Sequence, residues 1–342
     1  MGSGFKALMA ALGTSASLAA HAIASQWTAI DLTPEGPGHV TAISPAGVVV
    51  GCRTVDSTQT RAYVYASGSR RDLAAPAGAT SCATAVSDSG LVAGRINGEI
   101  TLWENGNPRG LGAKGNVSGI GENGVLVGAV EDGTTSQFGG ANTRAFMWSN
   151  GVFTDLGAPS GVTTAVGINR RGQIAVIANG KLYMHENGAL RDLGVTVTTA
   201  VGFNDRSEIA GMTSFGHGPE PYIYDGVVRQ IPNAYTYAGA VGLNNMGQVL
   251  GSGEGVYGFL MEGGQVVRID TLLGAPWGHS EPTAINDRGW IAGHGGSSSD
   301  FHAFLMIPKE NVAPAASGNG NPLMRYAPKS RALLMMRART AP

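Results

Sequence analysis

Short apolar stretches alternate with polar residues along most of the chain, and tight, glycine-bearing turns separate them. One phrase keeps returning: a small residue, a large apolar residue, a four-residue polar turn ending in Gly, an apolar stretch and, in most copies, a second Gly. It reads AISPAGVVVG (42–51), AVSDSGLVAG (85–94), GIGENGVLVG (119–128), GINRRGQIAV (167–176), GFNDRSEIAG (202–211), GLNNMGQVLG (242–251) and AINDRGWIAG (284–293). The large apolar anchors are Ile43, Val86, Ile120, Ile168, Phe203, Leu243 and Ile285. The Ser/Asn-x-x-Gly turn fits a type I turn whose last residue is left-handed, and Gly enters that region freely. Ser207 takes the Gly place in one copy.

A second hairpin follows most phrases, clearest in RAYVYASGSRRDLAA (61–75), RAFMWSNGVFTDLGA (144–158) and KLYMHENGALRDLGV (181–195). Apolar–polar alternation around Asn-Gly or Ser-Gly is a strong hairpin signal. The pattern therefore predicts four short antiparallel strands per unit of about 40 residues, as in a β-propeller blade. Spacing between anchors varies from 34 residues (Val86 to Ile120) to 48 (Ile120 to Ile168), which suits units joined by variable loops.

The last unit ends without a fourth strand after FHAFLMIPKE (301–310), and WTAIDL (27–32) echoes the fourth strands VFTDL and ALRDL. The expected fold is all-β: a seven-bladed β-propeller of four-stranded antiparallel blades, its ring closed by the N-terminal strand pairing into the last blade. Closure leaves no open sheet edge at the join. The residue before each anchor is Ala or Gly throughout (Ala42, Ala85, Gly119, Gly167, Gly202, Gly242, Ala284), expected to avoid collisions near the axis.

RAFMW with NGVFTDLG, INRRGQIA, and the literal HAF at His302-Ala303-Phe304 resemble the HAF-repeat proteins, bacterial repeat proteins of no established general activity. The resemblance covers about residues 27–307. Departures are Ser207 and Val176 at the Gly positions, and Gly110, Gln230 and Arg268 where Asp would sit. It implies an exported β-repeat protein and supplies no catalytic residues to carry over.

The ends differ in composition from this body. Residues 1–25 have Lys6, a run of small and apolar residues and Ala-x-Ala sites, the pattern of a secretory signal peptide. Residues 26–310 are the expected propeller. Residues 311–342 carry five Arg and Lys and no acid, and are expected to be a disordered basic tail. The expected location is periplasmic or extracellular. Net charge is −1, which offers no general basis for binding nucleic acid, and no apolar run is long enough to span a membrane. Cys52 and Cys82 are candidates for one disulfide in an oxidising compartment, with two buried thiols as the alternative.

Candidate chemistry gathers on the face bearing the long loops 52–60, 129–142, 212–220, 271–282 and 294–301, opposite the tight turns. The candidate binding residues are His39, His217, Tyr235, Tyr237, Trp277, His279, Glu281, His294, Asp300 and His302. His279, His294 and His302 are weak metal candidates, because their spacing matches no known ligand motif. No nucleophile elbow, P-loop or zinc-protease motif occurs, so no catalytic residue and no cofactor is assigned. Asp31, Asp72, Asp155 and Asp192 recur with the repeat and read as structural, with Arg71 or Arg191 as neighbouring partners. The expected function is an exported binding or scaffold module, monomeric, holding a protein, peptide or glycan on its loop face. The alternative is a hydrolase or lyase acting there on carbohydrate or another extracellular polymer.

Overall fold

The structure is a computed structural model that describes residues 27–121, 123–135, 140–216, 218–231, 238–253, 256–273, 277, 279–297 and 300–309. The expected signal peptide and basic tail lie outside the described residues. No helix of the described part is long and apolar enough to cross a membrane.

The first strand is β1 (Trp27–Asp31). A four-stranded sheet follows, built in order from β2 (Gly38–Ile43), β3 (Val49–Thr54), β4 (Thr60–Ala66) and β5 (Ser69–Asp72). Next come β6 (Ser81–Val86), β7 (Val92–Ile96), β8 (Glu99–Glu104), β9 (Asn107–Ile120), β10 (Leu126–Thr135), β11 (Ala141–Ser149) and β12 (Val152–Asp155), which form one seven-stranded sheet. The long β9 explains it: its first part, to Lys114, pairs with β8, and Gly115–Ile120 pairs with β10. Two four-stranded groups thus share one strand.

Three further four-stranded sheets follow the same order. They are β13 (Thr163–Ile168), β14 (Ile174–Ala178), β15 (Lys181–Glu186) and β16 (Ala189–Thr196); β17 (Thr199–Phe203), β18 (Ile209–Ser214), β19 (Pro219–Tyr224) and β20 (Val228–Gln230); and β21 (Gly239–Leu243), β22 (Val249–Gly253), β23 (Val256–Glu262) and β24 (Gln265–Arg268). The short helix α1 (Ile269–Leu273) comes next, in a segment the sequence suggests is loop. Its Ile269 and Leu272 are buried in the adjoining core, so apolar contact organises the segment. Finally, β25 (His279–Ile285), β26 (Ile291–Ser297) and β27 (Asp300–Pro308) form a sheet whose fourth member is β1, with Trp27 opposite Pro308 and Asp31 opposite Phe304.

The repeated turn behaves as its chemistry requires. Gly47, Gly172 and Gly289 have φ of 92°, 74° and 74°, and Ser207 takes the same left-handed place at 63°. The second Gly has a separate role. It lies within the second strand, opposite a register shift in the inner strand, as between Val40 and Ala42 or Pro282 and Ala284. A Cβ on Gly51 would fall 1.9 Å from the His39 carbonyl oxygen, and one on Gly94 would fall 2.1 Å from that of Cys82. A β-bulge aims that carbonyl at the partner strand and leaves no room for a side chain.

The small residue before each anchor also has a local cause. A Cβ on Gly202 would fall 2.8 Å from Leu243 Cβ, and one on Gly242 would fall 3.3 Å from Ile285 Cγ2. The next sheet's anchor takes the space. A cavity of about 620 Å³ is lined by residues of β2, β6, β9, β13, β17, β21 and β25.

The core is a series of clusters, each between neighbouring groups of strands. Val50, Val64 and Leu73 pack against Ala83, Val92 and Trp103; Val127, Ala145 and Leu156 pack against Ala165, Ile174 and Val176. Leu32, Val40, Val49 and Tyr63 pack against Ala292, Ala303 and Leu305, so the first and last sheets share a cluster of the same kind.

Candidate functional site

The two ends of the strands differ in how their polar groups are used. At the tight-turn end, Asn169, Asn204, Asn244 and Asn286 are buried, and each binds in two directions. Each side-chain oxygen accepts two N–H groups of its own turn, as Asn286 Oδ1 does from Arg288 and Trp290, both at 3.0 Å. Each side-chain amide donates to the next sheet: Asn169 to Asn204 O (3.4 Å), Asn204 to Asn244 O (3.1 Å) and Asn244 to Asn286 O (2.9 Å). Asn286 donates to Ser44 O at 3.1 Å. At the same end, Asn245 Nδ2 lies 2.7 Å from both Asp205 Oδ2 and Asp287 Oδ2, and Arg170 lies 3.1 Å from Asp205. This end is a belt of satisfied structural bonds.

The loop end holds groups with capacity left over. His39 is the second residue of β2, His279 opens β25, and His294 on β26 stands opposite Glu281 in the sheet register. Glu281 Oε1 lies 3.2 Å from His279 Nε2, and Oε2 lies 3.2 Å from His294 Nε2. His39 meets His294 edge to face, with ring centroids 4.9 Å apart. Residues from opposite ends of the chain therefore form one group, because the first and last sheets are neighbours.

Its members differ in access. His39 is exposed, His279 and Glu281 are partly so, and the His294 side chain is 16% exposed. Burial holds the His294 pKa below the ordinary histidine value, and nearby His39 adds to the effect, with Glu281 opposing it. His294 Nδ1 is buried without a hydrogen-bond partner. With Nε2 donating to Glu281, that nitrogen keeps a free lone pair.

Rings that sequence reasoning missed complete the surroundings. Phe301 of β27 lies 6.3 Å from His279 and 5.9 Å from His294. Tyr257 of β23, 41% exposed, lies 6.1 Å from His279. Arg268 stacks over Tyr257 at 3.5 Å and is ion-paired with Asp270, whose hydrogen bond raises the guanidinium pKa further. Only a structure could join Tyr257 to this site, since it belongs to the preceding sheet.

Several sequence candidates fall elsewhere. His302 is bonded through Nδ1 to Asp31 Oδ2 at 3.0 Å, between β27 and β1. Trp277 is folded down against Phe304, with centroids 5.5 Å apart, and belongs to the core. His217, Tyr235 and Tyr237 lie outside the described residues, as does the side chain of Asp300. Among the described residues no three His, Cys, Asp or Glu side chains are placed to hold a metal ion, and His302 stands apart from His279 and His294. The Glu281 carboxylate stands between two of those imidazoles, one oxygen to each, and the third is engaged by Asp31.

The outer-strand acids are structural, with partners other than those their neighbours suggest. Asp72 holds Arg53 at 3.0 and 2.6 Å, and Asp155 holds Arg144 at 2.9 Å. Adjacent residues in a strand face opposite ways, so Arg71 cannot reach Asp72, nor Arg191 Asp192. Asp155 and Asp192 also accept the N–H of Gly157 and Gly194, closing local turns. Cys52 and Cys82 form a disulfide with Cα atoms 4.8 Å apart, tying β3 to β6.

No family model matches the sequence, and no curated protein matches it. Among solved structures, the chain is similar to the β-propeller domain of the Trilobed protease from Pyrococcus furiosus, described as having an open velcro topology. The identity is 15% and the TM-score 0.47, over 67% of this chain and 79% of that one. It is similar to Pyrococcus horikoshii acylaminoacyl peptidase at 13% identity and TM-score 0.48, over 77% of this chain and 52% of the other, so it spans about half of that protein. It is also similar to YCF48 bound to D1 peptide, at 11% identity and TM-score 0.47, over 84% and 97%. At that level of similarity the neighbours assign no activity to this chain.

Proposed function

We propose that the chain is an exported, seven-bladed β-propeller of HAF-repeat character that serves as a binding or scaffold module of the cell envelope or extracellular space. Its ligand is held on the loop face around His39, His279, Glu281 and His294. Counting the two groups that share β9 separately gives the seven blades, and ring closure is supported by the β1–β27 pairing, the shared cluster of Leu32 and Leu305, and the Asn286–Ser44 bond. The disulfide between Cys52 and Cys82 fits an oxidising compartment.

One observation carries the binding reading. Four polar side chains from the two ends of the chain converge on the loop end and keep bonding capacity, whereas at the turn end four Asn side chains are used up in bonds between neighbouring sheets. A hydrolase or lyase reading has less support. Glu281 is the one carboxylate among the described side chains of the cluster, and cleaving a glycosidic bond commonly takes two.

The test is a glycan and peptide array probed with the folded wild type and with a His39→Ala/His279→Ala/His294→Ala variant. Binding by the wild type that the variant loses supports the reading. An array without a binder, or binding that survives all three substitutions, overturns it.

A further inference from the structure

We propose that Glu281 and the rings around it receive an alkylammonium group, of the kind a peptide ligand carries on a lysine side chain. This rests on the binding reading above and names the chemistry of its ligand.

The argument starts from charge. The Glu281 side chain is 40% exposed, and its two ion-pair partners are both imidazoles. No Lys or Arg among the described residues pairs with it. A neutral imidazole donates a hydrogen bond without cancelling the carboxylate's charge. A partly exposed anion therefore sits on the loop face without a permanent counter-ion. Phosphate, sulfate or carboxylate ligands would meet repulsion there, and a cation would be attracted.

Ring geometry supports the same class. Tyr257 comes from the preceding sheet and Phe301 from the same sheet as Glu281, and both rings contact His279, which bonds to Glu281. Phe301 stands nearly perpendicular to His279, at 86°. The faces of such rings carry partial negative charge and attract ammonium groups. Tyr257 already stacks against one cation, Arg268, whose charge is balanced by Asp270. A hydroxyl-rich ligand could also donate to the Glu281 oxygens but carries no charge to balance the carboxylate, so it gains less there than a cation does.

The charged and titratable groups facing the site are Glu281, His279 and His294, with His39 from β2 and the Arg268–Asp270 pair from the preceding sheet side. Acidification eventually protonates His294, whose cation then competes for Glu281. Binding should therefore be strongest at mildly alkaline pH and fall as pH is lowered.

Saturation-transfer NMR with the full-length folded chain would test this, using Nα-acetyl-lysine methylamide at pH 8 and pH 5. The same compound acetylated on its side chain supplies the neutral control, with choline and maltose as further arms. The lysine probe should bind at pH 8, about tenfold more weakly to Glu281→Gln and about threefold more weakly to Tyr257→Leu. Binding should be lost at pH 5 and absent for the acetylated control. Circular dichroism melting confirms that each variant is folded. Equal binding of the neutral control, or undiminished binding by Glu281→Gln, overturns the proposal. Binding of choline or maltose without the lysine probe overturns the assignment to a peptide lysine. If the array ligand is lost by the triple-histidine variant but kept by Glu281→Gln, the binding reading stands and the ammonium site fails.

Discussion

The side-chain amide of Asn286 donates to the carbonyl of Ser44 at 3.1 Å, joining residues 242 apart in sequence. It is one of four such bonds, and each spans the gap to the next sheet. Asn286 is 4% exposed and also accepts the N–H groups of Arg288 and Trp290. Replacing it with Ala removes all three bonds and leaves the partly buried N–H groups of Arg288 and Trp290 without their acceptor, while the Ser44 carbonyl keeps the Gly47 N–H. The expected cost for Asn286→Ala is about 2–3 kcal/mol. Asn286→Asp keeps the acceptor and should cost less. Urea unfolding of both variants checks this; an Ala variant as stable as the wild type would mean the belt contributes nothing.

Ser44 and Ser87 occupy the belt position in the first two phrases, and Gly121 in the third, so the Asn clamp is missing there. Other devices hold the first two of those junctions. The disulfide Cys52–Cys82 joins β3 to β6, and the unbroken β9 joins the next two groups of strands. Closing a 30-residue separation in the unfolded chain is worth about 3–4 kcal/mol in the chain-entropy account. The Cys52→Ala/Cys82→Ala variant should unfold at correspondingly lower urea, and reductant should shift the wild type toward it. Adding Ser44→Asn should restore part of the loss, since it offers the missing amide. Reductant-insensitive unfolding of the wild type would rule the disulfide out as a staple.

The hairpins were legible because their turns need particular residues: Gly47, Gly172 and Gly289 are left-handed, and Asn150-Gly151 and Asn187-Gly188 both have positive φ. The echo of WTAIDL in the fourth strands likewise gave the partner of β27 before any coordinates. What stayed hidden was whatever depends on a neighbouring sheet. The Asn of each turn advertises a cap, but nothing local reveals that its amide reaches the next turn. The second Gly of the phrase has no local reason; the inner-strand bulge opposite it supplies one. Glu281 and His294 were legible as nearby in sequence, whereas Tyr257 and Phe301 reached the site only through packing. Trp277 is a candidate binding ring in the sequence, and its contact with Phe304, which folds it down, is not visible there.

Strand β1 supplies the whole outer edge of the last sheet. It pairs with β27 from Trp27–Pro308 to Asp31–Phe304, and Leu32, just beyond it, is 2% exposed in the core shared with the first sheet. A chain truncated through Leu32 loses those bonds and leaves the β27 edge unpaired. Such a chain should melt well below the wild type and associate, as read by calorimetry and size-exclusion chromatography. A truncated chain that stays monomeric and equally stable would show that β1 is dispensable.

His294 gives the fold a pH dependence whose sign follows from its surroundings. Burial, with His39 adding to it, lowers its pKa in the folded protein, so the unfolded chain takes up the proton first. Stability from this residue is fully present above the ordinary histidine value of about 6.5 and declines as pH falls below it, levelling off beneath the lowered folded value. Glu281 opposes the shift, so the loss is partial. Melting curves from pH 8 to pH 5 should show a steeper decline for the wild type than for His294→Gln, which keeps a hydrogen-bonding side chain but cannot ionise. Glu281→Gln should act in the opposite direction, steepening the decline by removing the one group that favours the charged imidazole. Parallel profiles for all three proteins would exclude His294 as the source of the dependence.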